Sequence, residues 1–266
     1  MYGMRSTPYL CHIQKKRTIS PPGDDGRQTV GIRQRRAYAP DRPGEEEGGN
    51  GFVIMEKTDR EKRLKVLLVN GSPHRSGNTF TALSEVMRTL REESVDAVIM
   101  HIGNRPVQGC VGCYKCKEKG ICVFRDETYL TLRDSLAEAD GIIIGSPVYF
   151  GGPSGSLCAL LDRLFYSCGQ LAQYKPAASV VVCRRGGATA TFDRLNKYFT
   201  ILNMPVVPSQ YWNSVHGRNP GEASQDAEGL QTMRTLAHNM AWMLRNLHSS
   251  EAPASAEEPI HTNFIR

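Results

Sequence analysis

Short apolar runs alternate along the chain with longer segments whose apolar residues recur every three or four positions. The run Val66–Val69 has no polar interruption, which is typical of a strand buried on both faces of a sheet. A loop of small and polar residues follows, and helical spacing begins at Thr79. Further strands are predicted at 95–101, 141–145, 178–183 and 204–207. Helical spacing marks the segments 129–139, 157–165, 192–199 and 230–244.

This alternation of strands and helices predicts an α/β fold. Strands separated by helices form a parallel sheet whose two faces are covered by the helices. With five strands, the pattern predicts a flavodoxin-like, doubly wound five-stranded parallel sheet with helices on both faces. In such sheets ligands bind beyond the carboxyl ends of the strands.

The two ends of the chain lack this periodicity. Residues 1–54 are rich in Arg, Gly and Pro and are predicted to be a disordered extension, with Met55 as an alternative natural start. Residues 55–248 form the predicted folded domain, and 249–266 form an extended tail rich in Pro, Ala and Glu. No apolar run is long enough for a membrane span or an export signal, so we expect no membrane partner.

Charge and cysteine content narrow the class of protein further. The net charge is +6, of which nine Lys or Arg against six Asp or Glu in the first 54 residues supply +3. The remaining +3 is too weak to indicate nucleic-acid binding. Eight cysteines without an export signal favour reduced thiols and a cytoplasmic location.

The loop between the first strand and the first helix is dense in groups that bind anions. A helix start offers unpaired N–H groups and positive potential, which together favour a phosphate. The side-chain donors in and around this loop are those of Ser72, Arg75, Ser76, Asn78 and Thr79. The loop has neither the Gly-Lys-Ser/Thr ending of nucleoside-triphosphate loops nor Gly-x-Gly-x-x-Gly. The alternative is an ordinary turn rich in Ser and Gly.

Two later loops follow strands that end at the same edge of the predicted sheet. The first supplies apolar and aromatic walls for a flat ring, and glycines that let the backbone approach it: Pro147, Val148, Tyr149, Phe150 and Gly151. The other, Cys183–Gly187, contains Arg184 and Gly186. Its cations suit the pyrimidine end of a flavin, where negative charge develops on reduction. The alternative for the first loop is a glycine-rich turn with an aromatic plug.

These motifs resemble a known family. The string Asn-Gly-Ser-Pro-His-Arg-Ser-Gly-Asn-Thr resembles the FMN phosphate loop of flavodoxin-like NAD(P)H-dependent reductases. Ser-Pro-Val-Tyr-Phe-Gly, with the later Leu-x-Asp-Arg, is similar to the isoalloxazine loop of NADPH-dependent FMN reductases and iron–sulfur flavoproteins. The resemblance covers roughly 64–247. It implies that the phosphate loop residues named above hold the FMN phosphate and that residues 147–151 contact the ring.

The resemblance also bears on assembly. The segment Gln210–Gly217 looks like a family element that covers the flavin of its own or a neighbouring subunit. Together with the exposed aromatic loops expected at the sheet edge, this predicts a homodimer or homotetramer.

Half of the cysteines fall within 13 residues, at Cys110, Cys113, Cys116 and Cys122. Two short steps and one longer step suit a 4Fe-4S cluster, and the spacing resembles the compact motif of iron–sulfur flavoproteins. Structural zinc and free reactive thiols are the alternatives. The intervening lysines at 115, 117 and 119 are expected to offset the anionic charge and to lower the thiol pKa values.

The combined pattern predicts an FMN-dependent NAD(P)H oxidoreductase. Its electrons would pass to a small-molecule acceptor of the quinone, nitro, azo or free-flavin type, or through the cluster to a redox partner protein. Nothing in the sequence requires a catalytic acid or base. The alternatives are a non-enzymatic flavodoxin-like electron carrier or redox sensor, and a zinc-stabilised binding module without a flavin.

Overall fold

The computed structural model describes residues 63–248, together with residues 250, 260 and 262. The predicted extension at 1–54 lies outside the described residues, as does nearly all of the predicted tail at 249–266. Those two domain boundaries therefore stay predictions. Within the described part of the chain, no helix is both long enough and apolar enough to cross a membrane.

The centre of the fold is a sheet of five strands that all run parallel. Its order is β2-β1-β3-β4-β5, the flavodoxin-like arrangement that the sequence predicts. The strands are β1 (Lys65–Asn70), β2 (Asp96–His101), β3 (Gly141–Pro147), β4 (Ala177–Cys183) and β5 (Ser214–His216). Residues 66–69 of β1 are completely buried because helices pack on both faces of the sheet.

The part of the chain that the structure describes has six α-helices. They are α1 (Asn78–Glu92), α2 (Cys116–Lys119), α3 (Glu127–Glu138), α4 (Gly155–Cys168), α5 (Ala188–Thr200) and α6 (Ala227–His248). All but the short α2 pack on the two faces of the sheet. Alternate residues of β1 point to opposite faces: Leu67 packs in the layer formed with α3, α4 and α5, and Leu68 in the layer formed with α1 and α6. This arrangement confirms the predicted doubly wound fold.

The prediction of the fifth strand at 204–207 is wrong. Val206 makes only an isolated parallel bridge to Ala177, and β5 lies further along the chain, paired with the end of β4. Pro205 has no N–H group on the side that faces β4, so the ladder cannot continue from Val206 towards the amino end of the segment. The edge of β4 is therefore covered by two short segments.

Candidate functional site

Asn70, at the end of β1, holds the first loop in shape. Its buried side chain donates Nδ2–H to the Arg75 carbonyl at 3.2 Å and accepts the Ser72 N–H at 3.1 Å. The Ser72 hydroxyl in turn accepts the N–H of His74 at 3.1 Å. Sequence reasoning did not single out Asn70; the available signal was an amide side chain directly after a buried apolar strand.

The start of α1 is open to an anion. Gly77 precedes the helix without a side-chain cap, and α1 has no acidic residue in its first turn. The first helical hydrogen bond runs from Thr81 N–H to Gly77 O at 3.1 Å. The N–H groups of residues 78–80 consequently have no acceptor within the helix. With the helix dipole, they form the kind of site that binds a phosphate.

The Asn78 side chain makes contacts that the sequence did not predict, and its predicted contact with the phosphate stays a prediction. Its Nδ2 donates to Asn219 O at 2.9 Å, and its Oδ1 accepts the Ala223 N–H at 3.2 Å. These contacts hold the loop after β5 against α1. Gly217 lies at the same place, where an added Cβ would come within 2.9 Å of Asn78 Nδ2. The amide is thus occupied in the structure, whereas the backbone N–H of Asn78 remains at the helix start.

A cleft of about 920 Å³ opens beyond the carboxyl ends of the strands. It brings together nine predicted residues: Ser72, Arg75, Ser76, Asn78, Thr79, Pro147, Val148, Tyr149 and Arg184. It is also lined by residues that the sequence analysis did not identify, among them His101, Asn104 and Arg218. Its size suits a small-molecule cofactor, and polar donors at one end with apolar walls at the other suit a phosphorylated flat ring such as FMN.

The tip of the loop after β3 lies outside the lining of this cleft. Tyr149 and Gly152 exchange two backbone hydrogen bonds, of 2.8 and 3.0 Å, which close a tight turn. Phe150 and Gly151 form the tip with φ of 51° and 76°, and the Phe150 side chain is fully exposed. Neither residue lines the cleft, so their predicted contacts with the ring stay predictions.

The loop after β4 packs directly on the loop after β3. An added Cβ at Gly187, whose φ is 88°, would lie 2.9 Å from Val148 Cγ1 and 3.1 Å from Gly151 Cα. Gly187 is therefore the position where this loop requires glycine, whereas Gly186 is exposed, has space around it and does not line the cleft. The buried Cys183 lines the cleft, and burial raises the pKa of its thiol.

His101 ends β2 and joins the cleft to the phosphate loop. Its Nε2 lies 2.8 Å from the Ser72 carbonyl oxygen. A carbonyl oxygen only accepts, so Nε2 carries the proton of this hydrogen bond. The sequence signal for His101 was its place at the carboxyl end of a strand next to β1.

The segment resembling a flavin cover is divided between two environments. Gly217 lines the cleft, whereas Tyr211 and Trp212 are exposed and pack on each other with ring centroids 5.0 Å apart. Their predicted role in covering a flavin stays a prediction.

The four clustered cysteines line one cavity, which they share with Arg163. Gly112 and Gly120 have φ of 63° and 64°, and these left-handed turns fold the loop back on itself. Cys116 is buried at the start of α2, whereas Cys110 and Cys113 are exposed.

The neighbouring sulfurs affect the protonation of the buried thiol. Burial raises the pKa of the Cys116 thiol, and the nearby Cys122, Cys110 and Cys113 thiols raise it further. The expected lowering by the three lysines is therefore wrong for Cys116, because burial and repulsion between sulfurs dominate there.

A network of buried hydroxyl groups is hydrogen-bonded to the cysteine loop. The Tyr129 hydroxyl accepts the Cys122 N–H at 3.0 Å and lies 2.7 Å from the Ser167 hydroxyl and 3.1 Å from Cys168 Sγ. Burial raises the pKa of Tyr129 to about 12, so the hydroxyl stays protonated. The network ties the loop to α3 and α4.

Among the residues that the structure describes, no three His, Cys, Asp or Glu side chains form a group that could hold one metal ion. Tetrahedral zinc, with Zn–S bonds of about 2.3 Å, needs its sulfurs tightly gathered. A cubane cluster is also bound by four cysteine thiolates but carries its iron atoms at separate corners, so its ligands stand further apart.

Sequence relatives of the chain are known. The profile of the NADPH-dependent FMN reductase family matches residues 64–219. An iron-sulfur flavoprotein of Methanocaldococcus jannaschii is 34% identical over 190 residues, covering 68% of this chain and 98% of that protein. An iron-sulfur flavoprotein of Methanosarcina thermophila is 28% identical over 188 residues, covering 68% and 95%.

Solved structures share the fold at low sequence identity. RosB with a bound 8-demethyl-8-formylriboflavin-5′-phosphate intermediate has a TM-score of 0.56 and 16% identity, covering 76% of this chain and 94% of RosB. The flavoenzyme NAD(P)H:(acceptor) oxidoreductase FerB from Paracoccus denitrificans has a TM-score of 0.53 and 17% identity, covering 69% and 98%. Since the family profile matches more than half of the residues, the chain belongs to the NADPH-dependent FMN reductase family.

Proposed function

We propose that this FMN-dependent oxidoreductase takes electrons from NAD(P)H and passes them through a 4Fe-4S cluster to a small-molecule acceptor or a redox partner protein. One observation carries the proposal: the anion-binding loop, the apolar cleft and the four-cysteine cavity follow β1, β3 and β2, neighbouring strands of one sheet. The carboxyl ends of parallel strands meet at one edge, so the chain segments that form the two redox sites leave the sheet at the same edge.

Different residues of the cleft would bind different parts of FMN. The N–H groups at the start of α1, the Ser76 hydroxyl and the Arg75 guanidinium would bind the phosphate. Val148 and Tyr149 would flank the ring, and Arg184 would stand near its pyrimidine end. When bound, FMN supplies hydride acceptance and single-electron release.

The cluster assignment rests on the shared cavity of the four cysteines. The thiolate set suits a 4Fe-4S cluster, and relatives that align over most of their length are named iron-sulfur flavoproteins. A cluster would supply transfer of one electron at a time.

The test is the composition of protein purified without oxygen. We expect bound FMN, with about four iron and four sulfide per chain. Serine variants of Cys110, Cys113, Cys116 and Cys122 should each lose iron and keep FMN. Cys158→Ser is the matched control, because Cys158 lies on α4 and does not line the cysteine cavity.

Two outcomes contradict parts of the proposal. Iron near zero, with the four thiols open to alkylation, would leave a flavin reductase without a cluster. Bound FMN that neither NADH nor NADPH reduces would refute the nicotinamide as electron donor, and comparing the two rates gives the preference between them.

A further inference from the structure

Arg163, on α4, is a buried cation beside the four-cysteine cavity. Its side chain has no exposed surface, and it lines that cavity. It donates to the carbonyls of Gln108 at 3.0 Å and Phe124 at 2.6 Å, and it pairs with the Asp126 carboxylate. These contacts grip the cysteine loop on both sides, before Cys110 and after Cys122.

The carboxylate that pairs with Arg163 is partly exposed to solvent. That partner, Asp126, is 46% exposed, so solvent screens the negative charge more than the positive one. Burying a charged group costs free energy unless its ion pairs and hydrogen bonds are satisfied. In addition, Arg163 Nε is buried and has no hydrogen-bond partner among the described residues. A buried donor without an acceptor is uncommon and needs an explanation.

A negatively charged group in the adjoining cavity would explain both features. Cysteine thiolates and inorganic sulfides bring negative charge there, and reduction of the cluster adds one more. A cation in a region of low dielectric stabilises the more negative state most strongly. Hydrogen bonds to cluster sulfurs act in the same direction.

We propose that Arg163 is the counter-charge of the four-cysteine site and raises the reduction potential of the group held there. The inference rests on the proposed 4Fe-4S cluster and adds a residue that is not one of its ligands. Its consequence is that electrons leave the flavin for the cluster more readily than they would without this arginine.

The experiment is a redox titration of the anaerobic protein followed by electron paramagnetic resonance and absorbance. Arg163→Gln should shift the cluster to a more negative potential, and Arg163→Lys, which keeps the charge, should shift it less. Asp126→Asn should shift it to a more positive potential, because the cation loses its partner. Asn can still accept the Tyr129 N–H that Asp126 accepts at 3.1 Å.

Controls separate tuning from structure. The flavin potential, read in the same titration, should stay constant in all variants. Arg194→Gln removes an equal charge from an arginine that pairs with Asp162 at 3.6 Å and does not line the cysteine cavity. It should leave the cluster potential unchanged.

The outcomes are distinguishable. Full iron content with unchanged potentials in Arg163→Gln and Asp126→Asn would overturn the tuning role and leave the cluster in place. Absence of iron from the unmodified protein would overturn the cluster and with it the inference. If Arg163→Gln fails to fold, the sign of the shift in Asp126→Asn decides.

Discussion

At Gly71 the chain leaves β1 through a gap that admits only glycine. Its N–H donates to Gly145 O at 2.8 Å, and an added Cβ would lie 2.8 Å from that oxygen and 2.5 Å from Leu157 Cδ2. Gly71→Ala should lower the free energy of unfolding by about 1–3 kcal/mol and weaken FMN binding, because the phosphate loop must shift. Urea denaturation and FMN titration measure the two effects.

Gly155→Ala is the matched control for this change. Nothing lies within 4 Å of an added Cβ at Gly155, which is the first residue of α4. The free energy of unfolding should stay the same or rise by up to about 1 kcal/mol. Equal losses in both variants would show that the close approach at Gly71 is not responsible.

Arg75 offers a second test at the scale of one residue. The side chain is exposed at the cleft, so its loss should leave the fold intact. Removing a charge-assisted contact with a phosphate costs about 1.5–3 kcal/mol, so FMN affinity should fall roughly 10- to 150-fold in Arg75→Ala. Arg185→Ala, exposed but outside the cleft lining, should bind FMN normally. Unchanged affinity in Arg75→Ala would refute the phosphate contact.

Some side-chain contacts could not be predicted from the sequence. The donors of the phosphate loop were recognisable because they lie together in the chain. The partners of the Asn78 side chain are Asn219 and Ala223, which lie more than 140 positions away. No local pattern reports such contacts, so the structural role of this amide emerged only from the fold.

At the scale of elements, hydrophobic periodicity predicted the buried strands and the amphipathic helices but not the edge. Strand β5 has three residues, of which only Val215 is buried, so no alternation is long enough to detect. The apolar segment at 204–207 has the stronger pattern, but Pro205 has no N–H group to extend the pairing, and the segment makes one bridge. Strand pairing at an edge depends on available N–H groups as well as on apolar content.

Asp226 lies between β5 and α6, and its contacts predict how the free energy of unfolding changes with pH. It accepts the N–H groups of His216 at 2.6 Å and Gly229 at 2.9 Å. Burial alone would raise the pKa of Asp226, but these N–H groups and the His216 ring lower it below its ordinary value. Asp226→Ala should cost about 0.5–2 kcal/mol of unfolding free energy at pH 7.

The pH dependence follows from the direction of that shift. A carboxyl group with a lowered pKa in the folded state stabilises above its unfolded pKa, near 4, and loses this effect as the pH falls through the folded value. The difference between the native protein and Asp226→Ala should therefore shrink below about pH 4 in urea titrations. Asp193→Ala, on an exposed position of α5, should change stability by less than about 0.5 kcal/mol at pH 7. A constant difference for Asp226→Ala from pH 7 to pH 3 would contradict the role of its carboxylate.

At the scale of the whole molecule, the parallel sheet explains why separate motifs become one site. The loops after β1, β3, β4 and β5 and the end of β2 line a single cleft, although their residues lie between 72 and 220 in the chain. The alternation of strands and helices predicted that these loops would lie together at one edge of the sheet. It did not predict the tight turn that places Phe150 at an exposed tip, because that turn depends on one pair of backbone hydrogen bonds.

The exposed aromatic side chains around the cleft lead to the last prediction. Phe150 is fully exposed, and Tyr149, Tyr211 and Trp212 are each exposed by more than 40%. Large apolar side chains held in water at a loop tip are typical of protein interfaces. We therefore expect a homodimer or homotetramer in which Phe150 is buried against a neighbouring subunit.

Phe150→Ser tests this assembly. Loss of a central aromatic contact costs roughly 2 kcal/mol or more, so subunit affinity should fall about 30-fold, measured by light scattering across a dilution series. Since Phe150 does not line the cleft, the variant should retain FMN at concentrations where subunits stay together. Ile201→Ser, which removes another exposed apolar side chain just after α5, should assemble normally. A native protein that is monomeric at micromolar concentration with FMN bound would refute the assembly, because the cleft would then be complete within one chain.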